Sequence, residues 1–444
     1  MSSRTNQWYG PAARTSSRWW RTRGQPPNRK GKILIDRSTL QSLGARAPES
    51  ILLSDGDHLD WVQTAAEIIE GTGATRAELV ALDADTGPDV PVAVRLALKL
   101  AASRAAVWEF QKPAHLSVVF AVYKEHTRIL RPEEHEHGED FLRRKLGQLE
   151  WLFERTPQHS WDLTVVDDGC PEGSGALAQA ILDETNDVEA RVLSLDDAIS
   201  EGLPIVAGLR STDDSRKGGS IRYGMWEAAT HDRPNHVILF TDADLSTHMG
   251  QAGLLLDPII REGRYAAIGS RRHPASVVLK QGTRNNRGKL FIYLWKRLIP
   301  QLRGITDTQC GFKAFRAAAL STWIEDVTEN GFAFDIEFLL RAERTAPGTI
   351  VTVPVAWIDS DAASTTTDLQ PYLPMLRSVA RFYREILRPD PLAETFASLI
   401  DSMSEEEFQQ LLEQMPAAIA DREPAEFDEW EVVTAAELAS LAGL

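Results

Sequence analysis

The chain predicts an α/β protein in which a mainly parallel central sheet is flanked by helices, with an N-terminal extension and a C-terminal helical appendage. Two observations predict it. From residue 115 onward, apolar runs of strand length alternate with stretches of helical period, the pattern of strands joined by crossover helices. Two of those runs, WDLTVVDDG and HVILFTDAD, end directly in acids, and ligands of open parallel sheets gather at the carboxyl ends of strands.

Each segment follows from its composition. Residues 1–32 carry Arg4, Arg14, Arg18, Arg21, Arg23, Arg29, Lys30 and Lys32 without one acid, beside Trp19 and Trp20. They read as a basic disordered arm, with peripheral contact to anionic lipid headgroups as the sharper use. Across residues 33–112, GKILIDRSTLQSLG and ESILLSDGDHLDWVQTAAEIIEGTG read as short strands and helices of an α/β extension. SDGDHLD there repeats an Asp-x-Asp spacing, and a solvated turn accounts for it. Residues 113–360 hold the alternation itself: HLSVVFAVYKE is a strand, DFLRRKLGQLEWLFERT an amphipathic helix, WDLTVVDDG and EARVLSL strands, HVILFTDAD a strand, and VTVPVAWIDS a closing edge strand. In KLFIYLWKRLIPQL, Leu290, Tyr293, Leu294 and Leu298 share one helical face, which predicts a core-packed helix rather than an interfacial one. Residues 361–396, including TTTDLQPYLPMLRSVARFYREIL, form an amphipathic helical segment. Residues 397–444 form an acidic helical appendage, with Phe408, Leu411, Leu412 and Met415 at helical spacing.

Composition narrows the function. With 444 residues and 43% hydrophobic content the chain buries one large or two medium cores. No run approaches the roughly 20 apolar residues that span a bilayer, and the first residues lack the apolar centre of a signal peptide, so a cytoplasmic location is expected. Cys170 and Cys310 are too few for a disulfide framework or an all-protein zinc site. A net charge of −16 argues against nucleic acid as a partner.

The pair Asp242 and Asp244 in HVILFTDADLSTH has two chemical uses. Both carboxylates can reach one hard divalent cation that keeps phosphate oxygens in its shell, or the first can act as a phosphatase nucleophile with the second as its acid/base partner. In a haloacid-dehalogenase-like phosphatase the Asp-x-Asp strand opens the domain. Here an acidic pair and a Lys-Gly-Gly loop precede it, which disfavours the phosphatase.

That order resembles glycosyltransferase family 2, of GT-A fold, and within it the dolichyl-phosphate β-glucosyltransferase and polyprenyl-phosphate glycosyltransferase branch. SVVFAVYKE is similar to the family's opening strand, with Tyr123 and Glu125 in matching places. VVDDGCPEGSG resembles its Asp-Asp-Gly-Ser loop, RKGGSIRYGM its Lys-Gly-Gly loop and TDADLST its metal motif, and IGSRR, DTQCGFKAF and GFAFDIE follow in the family's order.

The resemblance implies a metal-dependent, inverting hexosyltransferase that uses a nucleotide sugar, UDP-glucose by preference, with Mg²⁺ or Mn²⁺ as cofactor. Asp167 and Asp168 would accept hydrogen bonds from base or ribose. Lys217, Gly218 and Gly219 would bring backbone and a cation to the nucleotide. Asp244 would ligate the metal directly, with Asp242 on the metal or the ribose. Arg271 and Arg272, with Arg284 and Arg287 behind them, would clamp the diphosphate. Asp307 and Gln309 would shape the sugar pocket. Asp335 would be the carboxylate on the acceptor side, with Glu337 in reserve. His248 and His273 are left out as ordinary surface or cap residues, and Cys310 is an inert small hydrophobe. The acceptor is a polyprenyl phosphate, a glycan, a small molecule or a peptide. The rival from another class is a catalytically silent sugar-nucleotide-binding or scaffold protein.

Overall fold

The computed structural model describes residues 37–52, 55–185, 188–279, 285–359, 371–427 and 433–444. The basic arm of residues 1–32, Arg284 and the TTTDLQ stretch lie outside the described residues.

Among the described residues nine strands are present: β1 His115–Val122, β2 Ser160–Asp167, β3 Ala190–Ser194, β4 Val237–Thr241, β5 Ala266–Ser270, β6 Val277–Leu279, β7 Phe312–Arg316, β8 Ile350–Pro354 and β9 Ala356–Ile358. Seven form one sheet in the order β3-β2-β1-β4-β7-β5-β8, while β6 and β9 make a small parallel pair. Every pairing in the large sheet is parallel except those of β7, which runs antiparallel to β4 and to β5. The central β1 and β4 read HLSVVFAV and VILFT because helices cover both faces, so the usual polar alternation disappears. At the rims, β3 and β8 are only half-buried, which suits edge strands.

The expected α/β extension differs from what the structure holds. Among the described residues, 37–112 contain helices only: Arg37–Gly44, Gly56–Glu70, Arg76–Asp85 and Val92–Trp108. The reason is local. Asp55 caps the second of these by accepting from the Asp57 and His58 amides, and Thr75 with Glu78 builds a capping box on the third. Leu59, Val62, Ala65, Ala66 and Ile69 then recur at helical spacing, leaving the apolar run at Ile51 too short to pair. SDGDHLD is thus a helix start and not the solvated turn expected of it, with Asp55 as the cap and Gly56 as the first helical residue. Nor is the extension a separate body. The Val92–Trp108 helix is buried almost all round, and it packs so closely on the Ala252–Glu262 helix that a Cβ on Gly253 would lie 2.4 Å from the Ser103 carbonyl oxygen. Its apolar residues share one core with β1 and β2.

At the other end, Leu290, Phe291, Ile292, Tyr293, Leu294 and Trp295 of the Asn285–Leu298 helix are all buried. The helices Tyr372–Ile386 and Pro391–Ser402 and those beyond pack on it, so the core-packed expectation holds. Its cations reach over to backbone: Lys289 Nζ donates to the Ala420 carbonyl at 2.9 Å, Lys296 Nζ to Pro424 at 3.1 Å and Arg297 Nη2 to Phe427 at 2.8 Å. No described helix is long and apolar enough to cross a membrane.

A fully buried guanidinium ties the extension to the Phe141–Phe153 helix. Arg104 sits 4.1 Å over the Trp151 ring and within 3.5 Å of Glu67, Glu70 and Glu154. Burial nevertheless dominates at Glu70 and lifts its pKa from 4.5 to about 7. A carboxyl raised on folding favours the folded state fully below its unfolded pKa, and that contribution is lost as pH rises through the folded one. Stability attributable to Glu70 therefore declines between about 4.5 and about 7. Glu70→Gln is expected to gain on the wild type across that window, measured as the urea midpoint at pH 5 and at pH 8. An unchanged gap between the two proteins at both pH values would contradict the assignment.

Candidate active site

Because β1, β2, β4 and β5 are parallel and β7 starts where β4 ends, five chain segments converge on one edge of the sheet. They bring Tyr123 and Glu125 after β1, Asp167 and Asp168 at β2, Asp242 and Asp244 after β4, Arg271 and Arg272 after β5, and Asp307 and Gln309 before β7.

Asp242 is fixed by the β4–β7 ladder. Its amide donates to the Gly311 carbonyl at 3.1 Å, and a Cβ on Gly311 would fall 2.2 Å from its carboxylate. Burial alone would raise the Asp242 pKa, but Lys217, Arg271 and Lys313 more than offset this and hold it below the usual range. Lys217 Nζ is paired with it directly. Asp244 accepts only the Ser246 amide at 3.0 Å among the described contacts, which leaves carboxylate oxygen for another partner. A metal fits this donor set. No cluster of three protein ligands exists among the described residues, so a hard cation here would hold Asp244 and Asp242 and complete its shell from water and a ligand's phosphates.

The Lys-Gly-Gly loop is clamped from two sides. Asp168 accepts the Lys217 amide at 3.0 Å and the Ser220 hydroxyl at 2.6 Å, at the start of the Gly218–Ala229 helix. From the other side, the Arg216 and Gly219 amides donate to the Asn330 carbonyl at 2.8 and 3.1 Å. A Cβ on Gly218 would lie 2.5 Å from the Gly331 carbonyl oxygen. Gly218 thus serves the close approach of the 330–331 backbone, a demand the sequence reading assigned to the nucleotide. Asp167 accepts the Cys170 amide at 2.9 Å, and burial raises both acids, Asp167 further through the charge of Asp168.

Two buried ion pairs complete the edge. Arg271 donates through N, Nε and Nη2 to Asp307 at 2.7, 2.9 and 2.8 Å, and its guanidinium lies 5.4 Å over the Trp357 ring. Asp307 is therefore engaged in holding that arginine, not open to a sugar hydroxyl. Lys313, fully buried on β7, donates 2.8 Å to Asp335 and 2.6 Å to the Cys310 carbonyl. Burial pushes Asp335 up in spite of Lys313 and Lys217.

No protein-family model matches the chain. Curated proteins do. Glycosyltransferase AglD of Haloferax volcanii is 30% identical over 210 residues, 47% of this chain and 29% of that protein. Dolichyl-phosphate β-glucosyltransferase of Saccharomyces cerevisiae is 27% identical over 262 residues, 56% of this chain and 68% of that enzyme. The human protein of that name is 27% identical over 245 residues, 53% of this chain and 65% of it. Over about half of its length the chain is similar to these glycosyltransferases. It spans less than a third of AglD and about two thirds of the glucosyltransferases. Among solved structures, glucosyl-3-phosphoglycerate synthase from Mycobacterium tuberculosis, crystallised with Mn²⁺, uridine diphosphate and glucosyl-3-phosphoglycerate, covers 66% of this chain and 86% of its own at 19% identity and a TM-score of 0.43.

Within this site the expected residues separate into groups. Asp167, Asp168, Lys217, Asp242, Arg271 and Asp335 lie together through the contacts and charge interactions just described, and Asp244, two residues beyond Asp242, adds its charge at Lys217. Tyr123 is exposed at the rim, with the Lys124 ammonium 5.6 Å from its ring. Glu125 is buried on Arg128 at 2.7 Å, and Gln309 reaches only the Thr308 carbonyl, at 3.4 Å. Arg272 is half-buried behind Arg271, 3.4 Å from where a Gly288 Cβ would be. Glu337, the reserve acid, is a correction. It is fully buried and accepts the Thr328 and Glu329 amides and the Arg341 guanidinium, because two residues along a helix turn it about 200° away from Asp335. Burial takes His248 down to about 3 and Cys310 up to about 12, so neither offers an ionised group.

Sequence reasoning missed Lys313, Gly311, Asn330 and Lys145. Lys145 is fully buried, its pKa lowered by burial to about 8 against the pull of Asp244 and Asp242. Its signal was present: it falls in line with Leu142, Leu146 and Leu149 on the apolar face of the Phe141–Phe153 helix, where a lysine needs a reason. Gly311→Ala tests the β4–β7 constraint. The added methyl is expected to displace Asp242 and, if the acidic pair serves a metal–diphosphate ligand, to weaken UDP binding measured with Mn²⁺ by about tenfold or more, of the order of one lost charge-assisted contact, while circular dichroism stays unchanged. Wild-type affinity in calorimetry would overturn it.

Proposed function

We propose that the chain is a family 2 glycosyltransferase that moves a hexose, glucose by preference, from a UDP-linked donor to its acceptor with inversion at C1. The observation that carries the reading is the convergence of Asp242 and Asp244 with Lys217 and Arg271 on one sheet edge. Carboxylates for a divalent cation and cations for a diphosphate are what a nucleoside-diphosphate leaving group requires. Bound Mg²⁺ or Mn²⁺ supplies charge neutralisation at the departing phosphates. The chain's own residues do the rest. Lys217, paired with Asp242, would offer its ammonium to the same phosphates. Arg271, held in register by Asp307, presents a planar guanidinium. Asp167 is oriented toward base or ribose by the Cys170 amide.

For the acceptor, the relatives' names speak of dolichyl phosphate, and a polyprenyl phosphate is the first reading. A hydroxyl acceptor is the second, favoured by Asp335, whose raised pKa brings it toward that of a working base. Membrane contact through residues 1–32 belongs to the first reading.

The metal role is tested by chelation. Chelator is expected to abolish donor turnover and Mg²⁺ or Mn²⁺ to restore it, and Asp244→Ala to lose at least about two orders of magnitude in kcat, the scale of a key electrostatic stabiliser. Full turnover by either would sink the assignment. Asp335→Asn separates the acceptors. A phosphate monoester, with a second pKa of about 6, needs no base, whereas a hydroxyl gains about 10² to 10⁴ from one. A loss in that range with unchanged donor KM indicates the hydroxyl acceptor, and a loss below about tenfold the phosphate.

A further inference from the structure

The helical extension reaches the donor side of the site through one buried lysine. Lys99 sits in the middle of the Val92–Trp108 helix and is 1% exposed. Its Nζ donates 2.7 Å to Asp83 of the preceding helix and 2.9 Å to the carbonyl oxygen of Ala275. One turn earlier, Arg95 Nη2 donates to the Ser276 carbonyl at 3.3 Å. Ala275 and Ser276 close the short loop that begins with Arg271 and Arg272. Asp307 holds the start of that loop through Arg271, and its far end is otherwise held locally: the Ser276 hydroxyl on the Ser270 carbonyl at 2.5 Å, the Ser276 amide on the His273 carbonyl at 2.9 Å and the Ala275 amide on His273 Nδ1 at 3.1 Å.

A lysine desolvated to this degree is costly unless each of its contacts matters. Asp83 alone would neutralise it. The second contact, to a main-chain carbonyl 176 residues away, satisfies another of the ammonium's donors and at the same time ties the loop to the extension. We propose that Lys99 is a positioning residue: through Ala275 it sets the 271–276 loop so that Arg271 and Arg272 point at the donor diphosphate, making the N-terminal extension part of the donor site. This rests on the reading of that site as a diphosphate clamp.

The test compares binding of UDP, which carries the diphosphate, with binding of uridine, which lacks it, in the full chain with Mn²⁺. Because Lys99→Met alone strands a buried Asp83, the working variant is Asp83→Leu with Lys99→Met, an apolar replacement of the pair that buried ion pairs commonly tolerate. Its melting temperature is checked against the wild type, and Arg95→Ala, at a half-buried position, loosens the same loop from its second contact. The expected result is a loss of about tenfold in UDP affinity for the double variant, the worth of a misaligned charge-assisted contact, a smaller loss for Arg95→Ala, and uridine affinity unchanged in both. Equal losses for UDP and uridine, or no loss of UDP affinity, would overturn the positioning role. Arg271→Ala serves as reference. If it loses UDP affinity while the Lys99 and Arg95 variants do not, the inference fails and the clamp stands; if it keeps wild-type affinity, the clamp itself is wrong and the inference falls with it.

Discussion

The antiparallel insertion of β7 between β4 and β5 is the constraint on which the site depends. A sheet of parallel strands alone would carry the residues before β7 to the far edge. Reversed, β7 begins where β4 ends, with Phe312 opposite Thr241. Gly311 then lies against Asp242, and Asp307 meets the arginine leaving β5. Lys313, one residue into the strand, points at Asp335 from beneath. One strand direction thus sets the Asp242 carboxylate, the Arg271 guanidinium and Asp335 relative to one another.

Charge balance explains why so many acids tolerate one another there. Asp307 and Asp335, both buried, and the half-buried Asp242 each lie against a cation, respectively Arg271, Lys313 and Lys217. Lys145 and Arg128 add positive charge behind Asp244 and Glu125. Removing one member of such a pair leaves the other desolvated and alone, so single deletions overstate what a residue does in the reaction. Conservative replacements that keep shape, such as amide for carboxylate, separate charge from packing.

Much of this was legible in the residues. Strands ending in VVDD and FTDAD announced both the parallel sheet and the edge where its ligands gather, since the apolar run and the acid are adjacent in the chain. The core-packed helix at 289–302 was readable from Leu290, Tyr293, Leu294 and Leu298 on one face. What could not be read depends on contacts between distant segments. Nothing near Lys217 announces that Asn330 will accept from its loop, and FKAFR gives no hint that Lys313 faces Asp335. Glu337 was misjudged because spacing along the chain was weighed and rotation around the helix was not. In the extension, short apolar runs around Ile51 suggested strands, whereas capping by Asp55 and Thr75 decided for helices.

The three cations of the Asn285–Leu298 helix share an unusual economy. Lys289, Lys296 and Arg297 bind the C-terminal segments through carbonyl oxygens, which every residue type supplies alike. The docking is therefore indifferent to side-chain identity at Ala420, Pro424 and Phe427 as far as these bonds go. It answers instead to backbone path, so a one-residue insertion there would do more harm than most exchanges. Apart from Glu423, which lies 3.5 Å from Lys289, such a tether leaves the acidic surface of these helices free to change composition while the helix beneath stays covered.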